Sequence, residues 1–127
     1  MLSKQSGLIA IAGTSDMQEL LKMEPDNLKA KEAVTVFCYY AKKFIGALAA
    51  AMGGLDILVF TGGIGENSGP VRQRICEGLE FMGIKINQKL NHTQQETISF
   101  KASQVTVKVL ETNEEKVIAL HTKKYLM

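Results

Sequence analysis

The stretch Leu55-Asp56-Ile57-Leu58-Val59-Phe60 is short and nearly all apolar, and it runs directly into Thr61-Gly62-Gly63-Ile64-Gly65-Glu66-Asn67-Ser68-Gly69. A run of that kind reads as a strand buried on both faces, as in the middle of an α/β sheet. Pro70 falls where a first helical turn tolerates proline, and Val71, Ile75, Leu79 and Met82 mark the inward face of a helix that Gly83 stops. A buried strand that turns through glycines into a helix constrains the whole chain to the α/β class.

The flanking sequence agrees with that class. Thr14 or Ser15 reads as an N-cap, with Asp16 and Glu19 at the positive end of a short helix through Lys22. Glu24-Pro25-Asp26-Asn27 is a turn and a helix start. Val34, Phe37, Cys38, Ala41, Ile45, Leu48, Ala49 and Met52 then recur at spacings of three and four, one face of a long amphipathic helix closed by Gly53-Gly54. Residues 87–103 are polar and poorly periodic and read as loop or edge structure. Val105, Val107 and Val109 alternate with polar residues as in a strand. Thr112-Asn113-Glu114-Glu115 has the form of a capping box and predicts a last helix carrying Val117, Ile118 and His121. Gly7 to Gly13 is a small-residue, apolar run that suits either a short helix or a strand.

The 127 residues fit one domain, and 46% hydrophobic with 22% charged residues gives enough apolar material for a core. The net charge of +2 is spread along the chain, so no basic stripe points to nucleic acid or a membrane surface. Lys42 and Lys43 interrupt the longest helical stretch, which argues against a membrane span. Nothing at the amino terminus resembles a signal peptide. Cys38 and Cys76 both lie in apolar-periodic stretches and read as reduced and buried. These features together predict a cytoplasmic protein.

The glycine segment admits several chemistries. At the carboxyl end of a buried strand, backbone amides and a helix amino terminus favour negative charge, and glycine lets the main chain approach a ligand closely. The segment lacks the Gly-Lys-Ser or Gly-Lys-Thr of a Walker loop. A dinucleotide fingerprint built on Gly63-Ile64-Gly65 would need glycine where Ser68 stands, and an acidic residue near Lys85 and Asn87. The glycines also suit a plain strand-to-helix turn without a ligand. His92 and His121 have no metal-ligand spacing and read as surface and helix-end residues.

Val59-Phe60-Thr61-Gly62-Gly63-Ile64-Gly65-Glu66-Asn67-Ser68, continued by Arg72, Ile75, Cys76, Gly78, Leu79, Glu80, Phe81 and Gly83, resembles the signature near the carboxy end of acetate and propionate kinases. Lys4-Gln5-Ser6-Gly7-Leu8 and Ser15-Asp16-Met17 upstream, and Thr112-Asn113-Glu114-Glu115 with Ile118 and Ala119 downstream, are similar to that family in the same order. The resemblance implies an RNase-H-like α/β fold of the actin, heat-shock-70 and sugar kinase superfamily. Residues 1–127 would form part of the second, carboxy-terminal nucleotide-binding domain of a two-domain kinase. It implies reversible transfer of the γ-phosphoryl group of ATP to acetate or propionate, giving ADP and an acyl phosphate, with Mg2+. Gly63, Ile64, Gly65, Glu66 and Asn67 would contact the adenosine part of the nucleotide, with Asp16, Met17 and Gln18 lining the same pocket. Glu114 would be the magnesium-site residue. It is free for that role because Glu115 fits the capping box better, and a hard cation prefers carboxylate oxygen. Asp16 also suits a plain helix amino-terminal acid.

Gln18 departs from the family, which usually has an arginine there, and a planar charged donor near the base is thereby lost. Full-length members are much longer. The acyl-binding residues and the catalytic arginines and histidine are expected in an amino-terminal domain missing from this chain, so no catalytic residue is assigned here and the chain alone is expected to be inactive. The family resemblance also implies a homodimer, to which the long helix and Ala47 to Ala51 are suited. Alternatives are a non-catalytic nucleotide-binding or dimerisation module of the same fold, and an unrelated α/β domain whose glycine loop is structural.

Overall fold

The computed structural model describes residues 17–61, 67–93 and 95–111, together with the backbone of 116–120. Helix α1 spans Met17–Met23 and is followed by a 3-10 turn over Glu24–Asp26. Helix α2 spans Leu28–Met52, strand β1 Ile57–Thr61, helix α3 Gly69–Cys76 and helix α4 Gln88–His92. Strands β2 and β3 span Thr106–Leu110 and Lys116–Leu120. The sheet order is β2-β1-β3, with β1 parallel to β2 and antiparallel to β3.

Helix α2 begins where the sequence places it. The Asn27 side chain accepts a hydrogen bond from the Ala30 amide at 3.1 Å, which satisfies one of the helix's orphan donors. Gly53 ends it at φ 80°, a left-handed conformation that favours glycine, with its N–H returning to the Ala49 carbonyl. By length and apolarity alone α2 would suffice to cross a membrane. Its inward face instead lies in the core: Ala30, Ala33, Val34, Cys38, Ala41 and Ile45 are all buried. Helices α1 and α3 pack on it. The outer face carries Tyr39, edge-on to Tyr40, and Lys43 over the Tyr40 ring.

Strand β1 is the centre of the sheet, and Leu58, Val59, Phe60 and Thr61 are all buried. Its two-sided burial follows from the near-absence of polar residues in the run. The core gathers Leu58 and Phe60 with Leu20, Val34, Ile45, Val71, Ile75, Ile84, Ile98, Val105 and Val107.

Three expectations are corrected. Residues 116–120 form β3, where the capping-box pattern predicts a helix. The second edge of β1 would otherwise leave a row of backbone donors and acceptors unpaired, and the β-branched Val117 and Ile118 suit a strand that pairs with it. The helix after the glycine segment ends at Cys76, well before Gly83. Glu77 is extended, and Gly78 takes φ 92° with its N–H on the Glu80 carboxylate at 3.1 Å, so Leu79 reaches the core from a turn. Gly83, at φ 88°, closes the short 3-10 turn Glu80–Met82 instead. Finally, the polar stretch 87–103 contains α4, whose cap is Asn87: its Oδ1 accepts from the amides of Lys89 and Leu90.

Cys38 and Cys76 are free and buried. Burial raises both thiols, Cys38 from 9.0 to about 11 and Cys76 from 9.0 to about 12, against partial offset by Arg74 and Arg72 respectively. Raised folded-state values mean that stability from the neutral thiols is complete below pH 9.0 and is lost as pH rises through about 11 to 12. The urea midpoint is therefore expected to stay level from neutrality to about pH 9 and to fall above it. A Cys38→Ala, Cys76→Ala double variant is expected to flatten that fall.

Candidate nucleotide site at the carboxyl end of strand β1

Strand β1 delivers Thr61, 2% exposed, at its carboxyl end. The chain resumes at Asn67, which is exposed, and Ser68 caps α3 by accepting from the Val71 amide at 3.3 Å. Gly69 and Pro70 form the first turn. The predicted contact residues Gly63, Ile64, Gly65 and Glu66 lie outside the described residues, as do Asp16, Glu114 and His121. What is described are the two rigid elements on either side of the glycine segment: a fully paired central strand and a capped helix.

The register of the sheet adds a relation that local sequence does not reveal. Thr61 pairs with Lys116 on one side and with Leu110 on the other. The last described residue before the glycine segment is thus a direct neighbour of the first described residue after Thr112-Asn113-Glu114-Glu115. The carboxyl ends of β1 and β2 and the amino end of β3 meet at one edge of the sheet, where open α/β sheets bind ligands.

Met17 is 3% exposed and belongs to the core, so its side chain faces apolar neighbours and only its backbone is left for a ligand. Gln18 beside it is exposed. Among the described residues no group of three or more His, Cys, Asp or Glu side chains could hold a metal ion. His92 is exposed in the last turn of α4, which agrees with the surface role read from its sequence.

Arg72 is read from the sequence only as part of the family signature, and its pairing with Asn91 is not read at all. Arg72 has 0% exposure and Asn91 2%. Arg72 donates from Nε to Asn91 Oδ1 at 2.8 Å and from a terminal nitrogen to the Asn91 carbonyl at 3.1 Å. Asn91 Nδ2 in turn donates to the Gly69 carbonyl at 2.9 Å. Burial lowers the Arg72 pKa from its ordinary value, partly offset by Cys76. A sequence signal existed for Arg72, which sits four residues before Cys76 on an otherwise apolar helix face. None existed for Asn91.

A mixed sheet with helices packed on it, built around a buried strand followed by a glycine segment and a capped helix, defines an α/β domain, and the solved structures it matches place it in the RNase-H-like actin, heat-shock-70 and sugar kinase class. Solved structures share it. The chain matches the acetate kinase of Porphyromonas gingivalis with a TM-score of 0.78 and 41% identity, over 84% of this chain and 28% of that one. It matches a propionate kinase from Francisella tularensis with a TM-score of 0.76 and 35% identity, over 85% of this chain and 28% of that one. Among curated proteins, the acetate kinase of Phocaeicola vulgatus is 48% identical over 126 residues, 96% of this chain and 32% of that protein. That of Brachyspira hyodysenteriae is 46% identical over 125 residues, with the same coverage. The Acetokinase family profile matches residues 1–120. The chain belongs to the acetokinase family, and it spans about a third of the length of the curated relatives it matches.

Proposed function

We propose that this chain is the carboxy-terminal, nucleotide-contacting part of an acetate kinase, an enzyme that transfers the γ-phosphoryl group of ATP reversibly to acetate, yielding acetyl phosphate and ADP. The observation that carries this reading is the 48% identity to an acetate kinase sustained over 96% of the chain. Acetate is favoured over propionate because the curated relatives matched at 45–48% identity are acetate kinases.

In this reading Gly63, Ile64, Gly65, Glu66 and Asn67 hold the adenosine part of the nucleotide, and Asp16, Met17 and Gln18 form the neighbouring wall. The β1 and α3 elements supply rigidity. Thr61 is locked between two partner strands and Ser68 is locked into a cap, so a glycine segment strung between them loses less entropy on binding than a free loop would. Glu114 would hold Mg2+, whose chemistry when bound is to offset negative charge on the phosphates. The Thr61–Lys116 pairing supports that role, since it brings the strand after Glu114 beside the strand before Gly62. The complete enzyme is read as a cytoplasmic homodimer, with the rest of the cleft supplied by an amino-terminal domain.

Calorimetric titration of the chain with ADP and Mg2+ tests the reading. Saturable binding at or below the millimolar range is expected, equivalent to about 4 kcal/mol or more. A Glu114→Gln variant should weaken the Mg2+-dependent part of it. No heat of binding at millimolar ADP overturns the assignment.

A further inference from the structure

Arg72 is not where helix electrostatics would put it. It lies in the opening turns of α3, whose amino terminus carries partial positive charge and favours acidic residues. It is also completely buried, where a guanidinium keeps its charge and must satisfy its donors within the protein. Neither circumstance helps α3 to form. The arginine instead reaches out of its own helix to α4, where Asn91 offers a side-chain oxygen and, near the helix's carboxyl end, a backbone carbonyl. Carbonyls at that end of a helix are favourable partners for a cation.

Asn91 completes a closed arrangement. Its amide nitrogen binds the Gly69 carbonyl, one residue beyond the Ser68 cap, while its oxygens bind Arg72. One asparagine therefore ties both the backbone and a side chain of α3's opening turns to a separate helix. In the chain, those turns directly follow the glycine segment that ends at Asn67. We propose that Arg72 and Asn91 form a positioning clamp that fixes the amino-terminal turn of α3, and through it holds the glycine segment ending at Asn67 in register for a nucleotide. The proposal rests on the nucleotide reading of that segment. Neither residue is assigned contact with the ligand; both act through the turn they hold.

The test uses the full chain, with amide hydrogen exchange and ADP–Mg2+ titration on Asn91→Ala, Asn91→Asp and Arg72→Lys. Asn91→Ala removes one buried hydrogen bond from a charged donor and one part-buried bond to the Gly69 carbonyl, so exchange over residues 67–76 should quicken at least ~10-fold. Amides of α2 and β1 should keep their wild-type rates, and ADP affinity should fall ~10-fold or more. Asn91→Asp keeps the acceptors for Arg72 but loses the donor to the Gly69 carbonyl, so it should recover no more than part of either effect. Arg72→Lys keeps the charge but not the fork, so it should lower the thermal midpoint, quicken exchange over residues 67–76 ahead of α2 and β1, and weaken ADP binding. That variant carries the test if Asn91→Ala does not fold. A uniform rise in exchange across the chain marks a purely structural role and overturns the proposal. So does unchanged ADP affinity in folded Asn91→Ala and Arg72→Lys when wild type binds. Wild-type chain that fails to bind ADP overturns the nucleotide reading and the clamp together.

Discussion

Phe60→Ala is expected to lower the unfolding free energy by about 3–5 kcal/mol, measured by urea denaturation at neutral pH. The ring has 0% exposure in the middle of β1, paired across the sheet with Val109 on one side and Val117 on the other. Truncation removes its transfer free energy and leaves a cavity between a central strand and the helices that cover it, where the surroundings can collapse least. Small domains have only about 5–15 kcal/mol in total, so the loss takes a large share of the fold's stability. Phe81→Ala is the control. That ring is 83% exposed, and its loss should change stability by no more than about 0.5 kcal/mol. Comparable effects at the two positions would mean that β1 is not the buried centre of the sheet.

The second large effect concerns catalysis. Supplied with ATP, Mg2+ and acetate, the chain alone is expected to form no acetyl phosphate trappable as a hydroxamate. Joined to the rest of the Phocaeicola vulgatus acetate kinase in place of the matching segment, it is expected to support turnover. Phosphoryl transfer depends on positioning and on charge stabilisation at the transferring group, so one wall of a cleft contributes binding without rate. The sequence similarity that makes the exchange feasible is 48% over 126 residues. Turnover by the isolated chain would show that it carries catalytic groups not assigned here. A folded but inert chimera would count against a kinase role for this chain.

The parts of this fold that were legible are those decided locally. Helix α2 announces both ends, through Asn27 and Gly53, and its buried face through three-and-four spacing. Strand β1 is betrayed by its apolarity and the start of α3 by Pro70, whereas the Ser68 cap was not read from the sequence. The failures have a common physical origin. Residues 112–115 satisfy a capping-box pattern, but the segment after them is claimed by the open edge of β1, a demand visible only once the sheet exists. Helix α4 is too short for periodicity to register, with five residues and a single side-chain cap. The end of α3 turned on Gly78, which breaks a spacing that otherwise looks helical through Met82.

The site divides the same way. Its glycine segment is a contiguous motif and was recognisable as such. The pairing of Thr61 with Lys116 and the clamp of Arg72 on Asn91 join residues 55 and 19 positions apart, and no local pattern encodes either.

Residues 63–67 are proposed to form one wall of a nucleotide pocket. Amide-resolved NMR of the isotopically labelled chain during titration with ADP and Mg2+ tests it residue by residue. The amides of Gly63, Gly65 and Asn67 are expected to shift first and to saturate together with those of Asp16 and Gln18. Amides along the outer face of α2 should stay in place. Absence of shifts at millimolar ADP, or saturable shifts confined to residues away from the carboxyl end of β1, would contradict the proposal.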